Sequence, residues 1–359
     1  MNEASRAERL AEALEDAGVE LMLVTELTNI RYLTGFTGSS AVALIGSQTR
    51  LFATDFRYVE QSAAEVDPSF ERRTCTGDLV EGIAKLLPEG DLRLGFESEH
   101  TSVARHRRLG ELLGERVEPV GVAGLVERLR CVKDEHELHL IAEAARLSEE
   151  AFEELLAGGL RGRTERELAL ALEYGMRSRG AEGVSFPPII AAGPNGALPH
   201  AKPRDVAVGD GDLVVIDWGA LLGGYCSDCT RTVAVGDVGE EAREAYALVL
   251  RAQRKGLDAV RAGDDGRAID RLVRDVIDGA GHSEHYGHGL GHGVGLEIHE
   301  APTLSFRASD TLAAGNVVTV EPGVYLPRRF GVRIEDLVAV GQDGVRVLTS
   351  LPKELRVVA

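Results

Sequence analysis

The sequence has no apolar run approaching the roughly 20 residues that a membrane-spanning helix needs. Its opening, MNEASRAERLAEAL, is charged and helical in period and has no apolar signal-peptide core. A cytoplasmic location is the expectation that follows. Positive charge is also in short supply. With 40 Lys and Arg against 58 Asp and Glu, the formal net charge is −18, which argues against a nucleic-acid partner because phosphate binding is driven by basic residues. Even the run Arg105-His106-Arg107-Arg108 reads as a solvated helix face. The four cysteines do not form a framework. Cys75 and Cys131 are isolated, and the pair Cys226 and Cys229 has no second pair or histidine partner at zinc-finger spacing. Reduced thiols are expected. No low-complexity segment interrupts the chain.

At 359 residues the chain exceeds what one hydrophobic core usually organises, so two domains are expected. Over residues 4–17 an apolar stripe of Leu10, Ala13, Leu14 and Ala17 predicts a helix stopped by Gly18. The runs VELMLV, AVALIG, RLFAT and LRLGF predict strands, and helical stretches fall around 78–87 and 101–113. This reads as a small α/β domain, residues 1–130, with no catalytic cluster of its own. A new helix opens at Asp134, with Glu137 completing a capping box and Leu138, Ile141, Ala145, Phe152 and Leu155 on one face. A second capping box, Thr164 with Glu167, predicts the next helix, and two more cover about 240–260 and 267–280. Residues 131–359 are assigned to the second domain.

The strands of this second part carry an unusual number of acids. In LVVIDWGALLGGYCSDCTRTVAV (213–235) a turn centred between Leu222 and Gly223 sets Asp217 opposite Asp228. In VVTVEPGVYLPRRFGVRIEDLVAV (317–340) a turn centred on Arg328 sets Glu321 opposite Glu335, with Pro322 implying an edge or a bulge beside Glu321. Cross-strand partners share a face with Cβ atoms about 4.5–5.5 Å apart, so like charges there repel unless a cation lies between them. The repeated form, D-x-G in one hairpin and E-P-G in the other, makes the two look like variations of one unit.

The stretch HYGHGLGHGVG (285–295) holds three histidines and five glycines. It is either a surface loop or a place where the backbone approaches something closely and imidazoles bind it. His288 and His292 are four apart and His299 is seven further on, and His200 lies in the same half of the chain as the acid pairs. Four carboxylates with a histidine suit two divalent ions, whose charges balance and which bridging carboxylates hold about 3.5–4 Å apart.

In order and context, Asp217 in DWG, Asp228 in SDCTRT, His292 in GHGVG, Glu321 in VEPG and Glu335 in VRIED resemble the pita-bread metallopeptidases. FPPIIAAGPNGALPH resembles that family's approach to an active-site histidine, here His200, while NIRYLTGFTGSS and DFRYVEQ resemble the amino-terminal creatinase/prolidase-like domain of the aminopeptidase P and prolidase branch. The resemblance implies an α/β amino-terminal domain followed by an α+β catalytic domain of two pseudo-symmetric halves around two divalent ions. The ions would be manganese, with cobalt or zinc as alternatives. It implies that Asp217 holds one ion, that His292 and Glu321 hold the other, and that Asp228 and Glu335 bridge them. Glu321 would relay a proton. His299 and His200 would steady the oxyanion and the leaving imino nitrogen, His288 would line the pocket, and Arg333 would hold a ligand carboxylate. A homodimer is implied as well.

One position departs from the pattern. Some prolidases carry HExPR, where the arginine can hold the carboxylate of a dipeptide; here HEAPT places Thr303 there, with Arg307 four residues on as a candidate substitute. The departure tilts the expectation toward removal of the first residue from Xaa-Pro peptides, with Xaa-Pro dipeptide hydrolysis as the alternative. A relative of the same fold with another substrate, or a non-catalytic peptide-binding protein, stands behind these. The last would be expected to have lost ligands, and all five are present.

Overall fold

The computed structural model describes residues 3–358; Met1 and Asn2, at the head of the expected first helix, and Ala359 lie outside the described residues. The described chain divides into two compact units, 1–130 and 131–359. No helix among the described residues is long and apolar enough to cross a membrane.

The first unit is built on a six-stranded mixed sheet. Its central strand Leu21–Val24 pairs antiparallel with Ala41–Gly46 and parallel with Leu92–Glu97. The central strands are buried along their whole length, which is why they read as continuous apolar runs. The first helix, Glu3–Ala13, is shorter than its apolar stripe suggests, because the backbone turns through residues 14–18 before Gly18 adopts φ 66°. The exposed strand Glu71–Thr74 carries no apolar alternation and gave no signal in the sequence.

The second unit has two halves of similar make-up. In one, the helices Glu135–Ala157 and Glu165–Ser178 pack on a sheet ordered Val357–Val358, Cys229–Val235, Leu213–Trp218, Ile189–Ala192. Both helices start at the expected capping boxes, Asp134 with Glu137 and Thr164 with Glu167. In the other half, the helices Gly239–Ala259 and Gly266–Asp278 pack on a sheet ordered Glu300–Leu304, Gly291–Gly293, Val317–Val320, Asp336–Val340, Val345–Val347. The two halves meet edge to edge, Glu335 N donating to the Thr230 carbonyl at 3.1 Å and the Thr232 hydroxyl to the Arg333 carbonyl at 2.9 Å. Each half thus brings one acid-bearing hairpin to the seam.

The hairpin registers differ from each other. In the second, Gly323 pairs with Arg333 and Leu326 with Phe330, and the flanking ladder sets Val320 against Asp336. Both runs count about Arg328, at φ 63°, so Glu321 and Glu335 fall opposite one another as expected, with the strand broken at Pro322. In the first hairpin the turn is Gly223–Gly224, with φ 58° and 79°, and Asp217 pairs with Thr230 rather than Asp228. A tight turn of this hand needs positive φ at both central residues, so the two glycines take them and move the register by two positions. A shift of two preserves the face, and Asp228 stays on the same side as Asp217, diagonal to it.

Candidate metal centre and active-site cavity

The acids and histidines converge on a cavity of about 500 Å³ whose lining includes His200, Asp217, Asp228, His288, His292, His299, Glu321, Arg333 and Glu335. Every residue singled out in the sequence as ligand or catalyst reaches this one space. Asp228, His292 and Glu335 offer donor atoms that all lie within 4.8 Å of one another. His292 Nε2 stands 3.6 Å from Asp228 Oδ2 and 3.4 Å from Glu321 Oε1. Asp217 faces the group from the neighbouring strand. Its Oδ2 accepts from Arg333 Nη2 at 2.6 Å, while its Oδ1 is buried with no hydrogen-bond partner.

An unsatisfied carboxylate oxygen beside the buried Asp228 and Glu335 and the partly buried Glu321 is costly unless a cation completes it. Burial pushes the Asp228 carboxyl well above the usual carboxylate range, and the charges of Glu335, Asp217 and Glu321 push it further. Glu335 is raised well above its range by burial and by Glu321 and Asp217, and Glu321 is raised mainly by burial. Burial lowers His288 and His292, and partial enclosure lowers His299, which favours the neutral imidazole in each; a neutral His292 presents a lone pair. The donor set, four carboxylates and one neutral imidazole around an orphaned oxygen, fits divalent ions that favour oxygen ligands.

The glycines around His292 serve close approach. A Cβ on Gly291 would lie 2.0 Å from the Thr319 carbonyl oxygen, and one on Gly293 would lie 2.5 Å from that of Ala301. Neither glycine has positive φ, so the short residue is required by the neighbouring strands and not by a turn. Gly219 and Gly323 play the same part in the two hairpins: a Cβ on Gly219 would lie 1.8 Å from the Ser227 carbonyl oxygen and one on Gly323 2.5 Å from the Tyr325 hydroxyl.

Supports that the sequence did not announce come from hydroxyls. The Thr230 hydroxyl donates to Glu335 Oε2 at 2.6 Å and the Thr319 hydroxyl to Glu321 Oε1 at 3.1 Å. The Tyr325 hydroxyl accepts from Arg333 Nη1 at 2.9 Å and lies 2.9 Å from His288 Nε2; burial pushes its pKa up to about 12. The only available signal for Thr230 was its place two residues from Asp228 on one strand face. His200 and His299 are exposed at the cavity, the His299 ring packing edge-on to His292 with centroids 4.3 Å apart. Thr303 lines the cavity. Arg307 does not: it is exposed, and its guanidinium lies 5.1 Å from the Phe306 ring centre. The expectation that Arg307 could take the missing arginine's place is therefore not met.

Residues 139–342 match metallopeptidase family M24, and residues 6–132 match the creatinase/prolidase N-terminal domain. The chain is 41% identical over 351 residues to an uncharacterized peptidase of Bacillus subtilis, covering 98% of this chain and 99% of that one. Among solved structures, a Xaa-Pro dipeptidase from Bacillus anthracis superposes with a TM-score of 0.96 at 40% identity, over 99% of this chain and all (100%) of that one. An X-Pro aminopeptidase from Thermotoga maritima superposes with a TM-score of 0.91, also at 40% identity, over 98% and 100%.

Proposed function

Because the chain belongs to metallopeptidase family M24, and is thus a hydrolase, we propose that it cleaves the Xaa-Pro bond at the amino terminus of peptides. The observation that carries this reading is the buried Asp217 Oδ1, unpaired among three further acids and His292 in one cavity. Asp217, Asp228, His292, Glu321 and Glu335 would hold two divalent ions, manganese by preference given the oxygen-rich donors. When bound, the ions supply Lewis acidity at the scissile carbonyl and water activation at neutral pH.

The chain's own residues do the rest. Glu321, with one oxygen held by Thr319, takes the proton of the attacking water and passes it to the leaving imino nitrogen. His299 is a neutral donor suited to a developing oxyanion, and His200 stands at the same cavity to meet the leaving group. Arg333 keeps Asp217 oriented, and His288, fixed through the Tyr325 hydroxyl and the Gly289 carbonyl, forms one wall. In this reading residues 131–359 carry the catalytic machinery, and the enzyme works as a cytoplasmic homodimer.

The choice of longer peptides over dipeptides rests on the cations at the cavity. Arg333 is its only guanidinium among the described residues and is committed to Asp217, while Lys202 is exposed. A dipeptide presents a carboxylate next to the scissile bond that needs a counter-charge; a longer peptide presents an amide there. Lys202 and the likeness to the Bacillus anthracis Xaa-Pro dipeptidase favour the second reading, dipeptide hydrolysis. Turnover of Gly-Pro against Gly-Pro-Ala with manganese separates the two. The proposal expects the tripeptide to be preferred in kcat/KM, preference for Gly-Pro favours the dipeptidase, and activity on neither rejects both.

A further inference from the structure

The stretch His285–Gly295 has five glycines, and glycine-rich backbone has the most conformational freedom to lose. Yet two of its histidines line the cavity. What holds it lies on the helix Gly266–Asp278. Asp270 and Arg274 stand one helical turn apart, and Asp270 is fully buried. The Asp270 carboxylate accepts from Arg274 Nε at 3.1 Å and Nη2 at 3.0 Å, and also from the backbone N–H of Leu290 at 3.0 Å. Arg274 Nη1 donates to the Tyr286 carbonyl and Nη2 to the His288 carbonyl, each at 2.8 Å. The same guanidinium lies 4.3 Å from the centre of the buried Tyr286 ring.

The pair therefore grips alternate residues of the loop, 286, 288 and 290. The grip continues into the site, because the Leu290 carbonyl accepts from the backbone N–H of Glu321 at 2.8 Å. We propose that Asp270 and Arg274 are positioning residues that fix the histidine–glycine loop, setting His288 as the cavity wall and Glu321 at its reacting distance. This rests on the reading of His288 and Glu321 as site residues given above. A buried ion pair is by itself weak evidence for stability. Here both partners also bond the loop backbone, and only the planar fork of an arginine reaches two carbonyls and a carboxylate together.

The test uses Arg274→Met, Arg274→Lys and the milder Asp270→Asn, which covers the case in which Arg274→Met does not fold. In the metal-free chain, amide hydrogen exchange at 286–292 should speed up in Arg274→Met and Asp270→Asn, with the rest of the helix Gly266–Asp278 and the melting temperature little changed. With manganese and Gly-Pro-Ala, kcat should fall roughly 10–100-fold, the usual loss for an outer support, with KM nearly constant, and Arg274→Lys should recover part of it. Wild-type exchange at 286–292 in both variants overturns the clamp, as does a loosened loop with wild-type kcat. If the wild-type chain has no peptidase activity, the proposed function fails, and the exchange measurement still decides whether the pair fixes the loop.

Discussion

The two acid-bearing hairpins do the same job with different means. The first turns on Gly223–Gly224 and carries aspartates; the second turns on Arg328 and carries glutamates. Short aspartates reach little beyond their own strand, and Asp217 is steadied by Arg333, which belongs to the second hairpin. Longer glutamates reach further, and Glu335 is steadied by Thr230, which belongs to the first. Each half of the unit thus supplies the support for an acid of the other, so what looks like a duplicated unit is energetically one.

The largest effect should come from the carboxylates nearest the shared centre. Asp228→Asn and Glu335→Gln keep size and lose charge, and each should cost more than the roughly 100-fold that bounds the loss of an outer support. Metal analysis should show fewer than two ions in both. If only the glutamate variant is impaired, the hairpins are not equivalent contributors.

His299 and His292 come next, and they test the proposed division between a group that meets substrate and a metal ligand. His299→Ala should keep its metal and lose about 10²–10³ in kcat, as for one oxyanion donor, whereas His292→Ala should lose metal as well as rate. Elemental analysis beside steady-state kinetics reads both; the reverse pattern would exchange the two roles.

Thr230→Val should reduce activity by about 10-fold, at the low end of the range for an outer support, because it frees both Glu335 and Arg333. Thr319→Val should do less, since its bond to Glu321 is longer, 3.1 Å against 2.6 Å from Thr230 to Glu335. Equal losses would show that the two hairpins brace each other evenly.

The smallest expected effect concerns pH. The carboxyls of Asp228, Glu335 and Glu321 are raised in the folded, metal-free chain. A raised acid contributes stability below its unfolded pKa and loses it as pH rises through the folded value. Melting temperature of the metal-free chain should therefore fall from mildly acidic to neutral pH, and manganese should restore more of it at neutral pH. Calorimetry that shows a pH-independent gap between metal-loaded and metal-free protein would contradict this.

The helices and the second hairpin were legible because their signals are local: capping boxes at Asp134 and Thr164, and a proline beside Glu321 that cannot join a ladder. The first hairpin was misread by two residues because the turn's demand for two positive φ values outweighed the symmetric placing of the acids. Thr230 was legible only through its place two residues from Asp228, and Tyr325 not at all. Their roles depend on which segment lies across the seam, and side-chain period carries no record of that. The glycines of 285–295 stand out in the sequence, but the reason for Gly291 and Gly293, the carbonyls of Thr319 and Ala301, lies in other strands.

The bond from Arg333 to Asp217 spans 116 positions along the chain. Each hairpin brings its own two acids together, but the two pairs can meet only once the halves have joined, so the repulsion between the pairs arises when the seam forms. Contacts of such sequence separation form slowly. A divalent ion present at that moment would relieve the repulsion as the halves meet, and would therefore act on assembly as well as on the finished site.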